Sequence, residues 1–149
     1  MTIKKIRPTA ICIFKHNDSI LLYEGIDPSN NTYFYRPIGG GIEYGETSEQ
    51  ALIREMKEEI NADIEDIRLL GIIESIFTFE DELGHEIVFV YDAKFIDQSF
   101  YNKETFYGLQ DDGSLFKLLW VNINDCLNDT TNIVPKQLKT MITDKSYKI

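Results

Sequence analysis

Apolar residues fall along this chain in short runs separated by polar turns, and the period of each run predicts its element. Thr9 to Phe14 is a continuous run of strand length and Ser19 to Tyr23 is a second. The two read as a hairpin over Lys15 to Asp18, with Asn17 and Asp18 as turn residues. Gly25 to Asn31 collects Gly, Asp, Pro, Ser and Asn and predicts a loop, after which Tyr33 to Arg36 reads as a short strand leading into Gly39, Gly40 and Gly41. At Thr47 the period becomes helical. Thr47 with Gln50 three residues on forms a capping-box pattern, and Leu52, Ile53, Met56 and Ile60 make the apolar stripe. Asn61 predicts the stop, because after Gly it is the residue most tolerant of left-handed backbone.

Downstream, Ile67 to Phe79 and Glu86 to Phe95 read as two long antiparallel strands joined at Asp81 to His85, with Gly84 supplying the turn. His85 and Glu86 at that turn read as structural. Residues 97 to 114 predict a long polar and aromatic connection of the functional kind. Leu115 to Val121 is a further strand, Asn124 to Leu127 a helical turn, and Val134 to Ile142 a final helix packing Leu138, Met141 and Ile142. The order implies an α/β chain with a mixed sheet between helices.

A length of 149 residues with 43% hydrophobic content suffices for a core and predicts a single domain over 1–149. Cys12 and Cys126 cannot make a disulfide framework, nor, with His16 and His85, a zinc site of four ligands, so a reduced cytoplasm is the expected location. Cys12 lies within an apolar run and neither thiol has a spaced histidine partner, so both read as inert. The apolar run after Lys4, Lys5 and Arg7 is too short for a signal peptide or a membrane span. A net charge of −10 argues against nucleic acid as partner, which needs a basic footprint. Small phosphorylated substrates remain compatible where metal ions supply the local positive charge.

The chemistry concentrates between residues 40 and 62. On a helix advancing about 100° per residue, Glu55, Glu58 and Glu59 share one face. At an effective dielectric near 20, each like-charge pair costs up to about 3 kcal/mol, a sign that a divalent cation reverses. Magnesium and manganese suit such oxygen donors, together with the phosphates of a substrate. The three glycines let backbone approach a ligand closely.

Gly40, five residues, Glu46, seven residues, Arg54-Glu55, Met56, Lys57 and Glu58-Glu59 reproduce the spacing of the Nudix box, and the segment resembles that family. It departs at the end, where Asn61 and Ala62 replace the usual glycine and aliphatic residue. It departs upstream too, where Pro37 is displaced by one position before the glycines. The resemblance implies a Nudix-type α/β/α sandwich with a mixed, largely antiparallel-containing sheet. It also implies a hydrolase that uses Mg2+ or Mn2+ to cleave the pyrophosphate bond of a nucleoside diphosphate linked to another moiety, such as a nucleotide or a sugar, releasing a nucleoside monophosphate.

By the same resemblance Glu55, Glu58 and Glu59 are the expected metal ligands, joined by the Gly39 carbonyl. Glu58, Glu59, Arg54 and Glu46 are the expected catalytic set, with Arg54 orienting a carboxylate and Glu46 supporting the site. Gly40, Gly41, Arg36 and Phe79 are the expected substrate contacts. The general base stays open between Glu58, Glu59 and a loop acid, where Asp111, Asp112 and Glu104 are the candidates. An alternative reading is a catalytically inactive Nudix-fold nucleotide-binding or sensing domain, against which the intact glutamates speak. The secondary signatures of the family's subclasses are absent at Phe77, Thr78 and Phe79, so the substrate stays open, as does a homodimer.

Overall fold

The computed structural model describes residues 4–128, 130–147 and 149. Its strands are β1 (Arg7–Ile13), β2 (Lys15–His16), β3 (Ser19–Asp27), β4 (Thr32–Arg36), β5 (Ile38–Gly41), β6 (Ile64–Phe79), β7 (Glu82–Phe95), β8 (Thr105–Leu109) and β9 (Leu115–Asn122). Its helices are α1 (Ser48–Ile60), α2 (Ile123–Leu127) and α3 (Leu138–Thr143). The strands divide between two sheets. One has the order β5-β1-β7-β6, mixed because β1 runs parallel to β7; the other runs β2-β3-β9-β8, with β4 added on β3, and is antiparallel.

Apolar side chains leave both faces of the β-layer. Ala10, Cys12 and Phe14 pack with Leu52 and Met56 of α1 on one side. Ile11, Ile13, Val88 and Val90 pack with Cys126 of α2 and with Leu138 and Met141 of α3 on the other. The architecture is the α/β/α sandwich that the resemblance implies. Among the described residues no helix is long and apolar enough to cross a membrane. Both cysteines are buried and free, and burial pushes the Cys126 thiol up to about 11.

Helix α1 starts and stops where its sequence says. The Thr47 hydroxyl accepts the Gln50 N–H at 3.1 Å while the Gln50 side chain accepts the Thr47 N–H at 2.9 Å. Asn61 closes the helix in left-handed conformation, φ 51°, with its N–H on the Lys57 and Met56 carbonyls. Replacing Thr47 by Ala is expected to cost about 1 kcal/mol, since it orphans one N–H, and to lower Tm by about 3 °C in a thermal melt.

Several elements differ from the sequence reading. The expected hairpin forms over Asn17 and Asp18, with Lys15 opposite Ile20, His16 opposite Ser19 and the Leu21 N–H on the Phe14 carbonyl, but its first arm is β2; β1 itself is buried between β5 and β7, and the chain crosses to the second sheet after it. The turn between β6 and β7 is made by Glu80 and Asp81, both at positive φ (53° and 61°), as a tight right-twisting hairpin requires. Gly84 lies inside β7 opposite Phe77, whose ring covers the space where a Cβ would stand. Residues 97 to 114 hold a 3-10 turn and β8, which pairs with β9. The last helix is confined to Leu138–Thr143. Ile53 is 45% exposed and stands off the core, whereas Ala51 is buried.

Candidate active site

Strand β5 is an outer strand of its sheet, and its hydrogen-bond alternation shapes the site. The Ile42 N–H bonds the Pro8 carbonyl at 3.0 Å and Gly40 stands opposite Ala10. In an antiparallel ladder this phase turns the polar groups of Gly39 and Gly41 away from β1. The Gly41 carbonyl accepts Arg54 Nη2 at 2.9 Å. The Gly39 carbonyl is left facing outward along the cavity it lines. Gly40 has no side chain for a local reason: a Cβ there would stand on the Glu55 carboxylate.

Arg54 ties both ends of the β5–α1 connection. Its Nε and Nη2 grip Glu46 at 3.1 and 2.6 Å, and Nη1 reaches Glu55 at 2.9 Å and Glu58 at 3.3 Å. Glu46 also accepts the Glu43 N–H at 2.8 Å, across a tight turn in which Gly45 takes φ 92°. These bonds hold the Glu46 carboxyl below its usual range, the Arg54 contact first among them, and the surrounding carboxylates raise the proton affinity of Arg54.

Beyond the glycine edge opens a cavity of about 360 Å³. Glu55 and Glu59 enter it from α1, Asp111 and Asp112 from the turn between β8 and β9, and Arg7 and Arg36 from the opposite side. Glu59 is hydrogen-bonded to Glu55. Burial above all, then that bond and the charges of Glu55, Asp111 and Glu58, push its carboxyl up to about 9, so it holds a proton at neutral pH. The Asp112 carboxylate accepts the Ser114 N–H and hydroxyl, which lower its proton affinity and hold it in the turn.

The other expected site residues lie apart. Glu58 is 50% exposed and leans on Arg54 outside the cavity. Phe79 packs edge-on against Phe34, ring centroids 5.8 Å apart, and Glu104 contributes its carbonyl to the Trp120 N–H. Neither lines the cavity. Thr9, Tyr23, Gln110 and Phe116 do line it and have no local signal in the sequence; with Arg7, they come from strands and a turn brought together by register.

Among the described residues no three acidic, histidine or cysteine side chains stand together at metal-binding separation. Two carboxylates do, Glu55 and Glu59, beside an outward carbonyl at Gly39 and a glycine cradle. That donor set fits a hard divalent ion, which commonly takes one or two protein carboxylates and completes its shell with water and phosphate oxygens.

The NUDIX domain family model matches residues 5–140. Over 67 residues the chain is 39% identical to the NAD-capped RNA hydrolase NudC of Vibrio atlanticus (strain LGP32), a match spanning 45% of this chain and 24% of that protein. The chain thus spans about a quarter of the length of that curated relative. A NUDIX hydrolase from Nitrosomonas europaea superposes with a TM-score of 0.67 at 19% identity, covering 97% of this chain and 90% of its own. A structure described as an ADP compounds hydrolase gives 0.62 at 15% identity, covering 95% and 73%. At these identities the likeness is one of fold.

Proposed function

Because the chain belongs to the NUDIX family, as the match over residues 5–140 shows, we propose that it is a hydrolase dependent on Mg2+ or Mn2+. Its substrate is a nucleoside diphosphate linked to another moiety, cleaved at the pyrophosphate bond with release of a nucleoside monophosphate. The observation that carries this reading is the half-buried, hydrogen-bonded Glu55–Glu59 pair facing two arginines across one cavity. Acids on one wall suit a metal and arginines on the other suit phosphate oxygens.

The whole of 1–149 acts as one domain. Glu55, Glu59 and the Gly39 carbonyl are the residues placed to hold the ion; Glu58 joins them once it leaves Arg54. A divalent ion there lowers the pKa of an attacking water and offsets charge building on the phosphate oxygens. The chain's own residues do the rest. Arg54 fixes the direction of the Glu55 carboxylate and, through Glu46, the position of the loop. Gly40 and Gly41 let the diphosphate lie against backbone, with Arg36 at its far side. Asp111 stands near enough to Glu59 to disfavour its charge, and is the loop acid we assign to take the water's proton. The water oxygen bonds to phosphorus, the bridging P–O bond breaks, and its electron pair leaves with the departing phosphate. With its two thiols buried and unpaired, the protein suits a reducing cytoplasm.

A panel of nucleoside triphosphates, ADP-ribose, nucleotide sugars and dinucleoside polyphosphates tests the reading. Monophosphate release from at least one member with Mg2+ or Mn2+, abolished by EDTA, is the expected result. Silence across the panel with both ions, from a folded protein, overturns it.

A further inference from the structure

The antiparallel sheet buries one face and leaves part of the other bare. Its inner face, with Leu21, Phe116 and Leu118, joins the core under α1, and Tyr23 and Phe116 reach the cavity from it. On the outer face α2 and α3 cover the end that holds Ile20, Leu22 and Val121. The other end carries an apolar row four strands wide. Tyr33 stands opposite Ile26 and Leu109 opposite Leu115, and the register of β3 with β9, carried two residues past Glu24 and Lys117, sets Ile26 beside Leu115. By the same pairings a second row behind it holds Tyr35, Glu24, Lys117 and Tyr107. The four side chains of the first row, and Tyr107 in the second, are 43% to 66% exposed. Single apolar residues at a surface are ordinary, whereas five gathered on one sheet face are the mark of an interface.

We propose that this face binds a second copy of the chain. The charges at its centre decide the occupant. Glu24 and Lys117 stand side by side on β3 and β9, half-buried. Among the described residues neither makes an ion pair within the chain, and Glu24 accepts only the Tyr35 hydroxyl, at 2.8 Å. A two-fold axis parallel to these strands and midway between them lays β9 of one copy on β3 of the other while keeping each row in line. Glu24 then meets Lys117 of the partner subunit, and Lys117 meets Glu24 of the partner subunit, so the patch is complementary to itself, as a closed dimer requires. Under the same axis Ile26 meets Leu115 of the partner subunit and Tyr33 meets Leu109 of the partner subunit, in the aligned packing of two sheets about 10 Å apart. Five large side chains exposed by about half offer on the order of 500 Å² per copy, hence roughly 1,000 Å² in the dimer, the lower edge of a specific interface and the range of a weak, reversible one. The net charge of −10 opposes association elsewhere on the surface, whereas the two charged residues of these rows cancel. Asp111 and Asp112, in the turn that joins Leu109 to Leu115, line the cavity on the inner face, which the dimer leaves open. Such a dimer forms whether or not the chain hydrolyses a nucleotide.

Sedimentation equilibrium of the full chain from about 1 to about 300 µM tests the face, with a thermal melt of each variant alongside. A reversible monomer–dimer equilibrium with Kd on the order of 10 to 100 µM is the expected result. Leu115→Asp, at an exposed position, should weaken it at least about tenfold while the variant keeps a cooperative melt. Glu24→Lys and Lys117→Glu, each setting like charges against one another across the axis, should each weaken it by as much. Mixed in equal amounts, these two variants should form a heterodimer, because every charged contact then joins opposite signs; a merely misfolded variant cannot be rescued in this way. Ile76→Asp, at an exposed apolar residue of β6 outside this face, should leave the equilibrium unchanged. A chain that stays monomeric up to about 300 µM would overturn the proposal and give the face to a partner of other composition. A dimer indifferent to Leu115→Asp, loss of the dimer in Ile76→Asp, or charge variants that remain monomeric on mixing would overturn it as well.

Discussion

Glu59→Gln is expected to abolish turnover while leaving the metal-free protein at least as stable as wild type. Loss of a carboxylate from the metal-binding wall forfeits several kcal/mol of charge stabilisation, on the order of 10^3-fold in kcat. Stability responds in the other direction because the native fold disfavours the charge of Glu59. Its folded pKa, about 9, lies above the ordinary value of 4.5, so the fold binds a proton that the unfolded chain gives up. The contribution is fully present below about pH 4.5 and is lost as pH rises toward about 9. Thermal melts in EDTA should therefore show wild type losing stability between these values and the variant, which cannot ionise there, losing less. Parallel pH profiles for the two proteins would refute the account, and so would a Glu59→Gln enzyme turning over at full rate.

The same helix shows what a sequence can and cannot disclose. At about 100° per residue, Glu55 and Glu59 fall inside the arc running from Ala51 to Met56, the face that packs on the sheet, so the partial burial of these two acids follows from periodicity. Glu58 sits at the margin of that arc, close to Arg54, and Ile53 at the opposite margin. The first accordingly leans outward on the arginine, and the second is exposed in spite of its apolar side chain. The capping box, the Asn61 stop and the acidic face were legible because they are local. Of the arginine wall only Arg36 was, and that through the family resemblance. Arg7, Thr9, Tyr23 and Glu86 meet through the parallel pairing of β1 with β7 and the closure of β3 over the glycine edge, and such register carries no signature within any short window of sequence. The turn at Asn17 and Asp18 was legible and joins β2 to β3, but the partners of β1 were not, for a related reason: a continuous apolar run specifies burial on two faces but not which strands stand alongside.

Arg54→Ala should harm both stability and activity, and Arg54→Lys should separate the two. The guanidinium is a single planar fork serving Glu46 in two bonds, Glu55 in one and the Gly41 carbonyl in another. Its removal leaves two mostly buried carboxylates, 17% and 13% exposed, without their cation. A fully buried pair broken in this way costs roughly 3–5 kcal/mol; with Arg54 itself 23% exposed, solvent screening reduces the expectation to about 2–3 kcal/mol. For a chain of this length that is a fall in Tm of about 5 to 10 °C. Loss of orientation at Glu55 should lower kcat by about 10- to 100-fold, the usual effect of removing a partner that aims a ligand. Lysine restores the charge but offers its donors from one point, so it should recover most of the stability and little of the rate. Acid provides the cross-check. Glu46 holds its proton less tightly in the fold than in the unfolded chain, so its share of stability is present above about pH 4.5 and drains away as pH falls through its lowered value. Wild type should accordingly lose stability on acidification in that window, and the alanine variant, already lacking the bond, should lose less. If Arg54→Lys instead matched wild type in kcat, the guanidinium would be reduced to a countercharge and the aiming of Glu55 would have to come from the glycine edge alone.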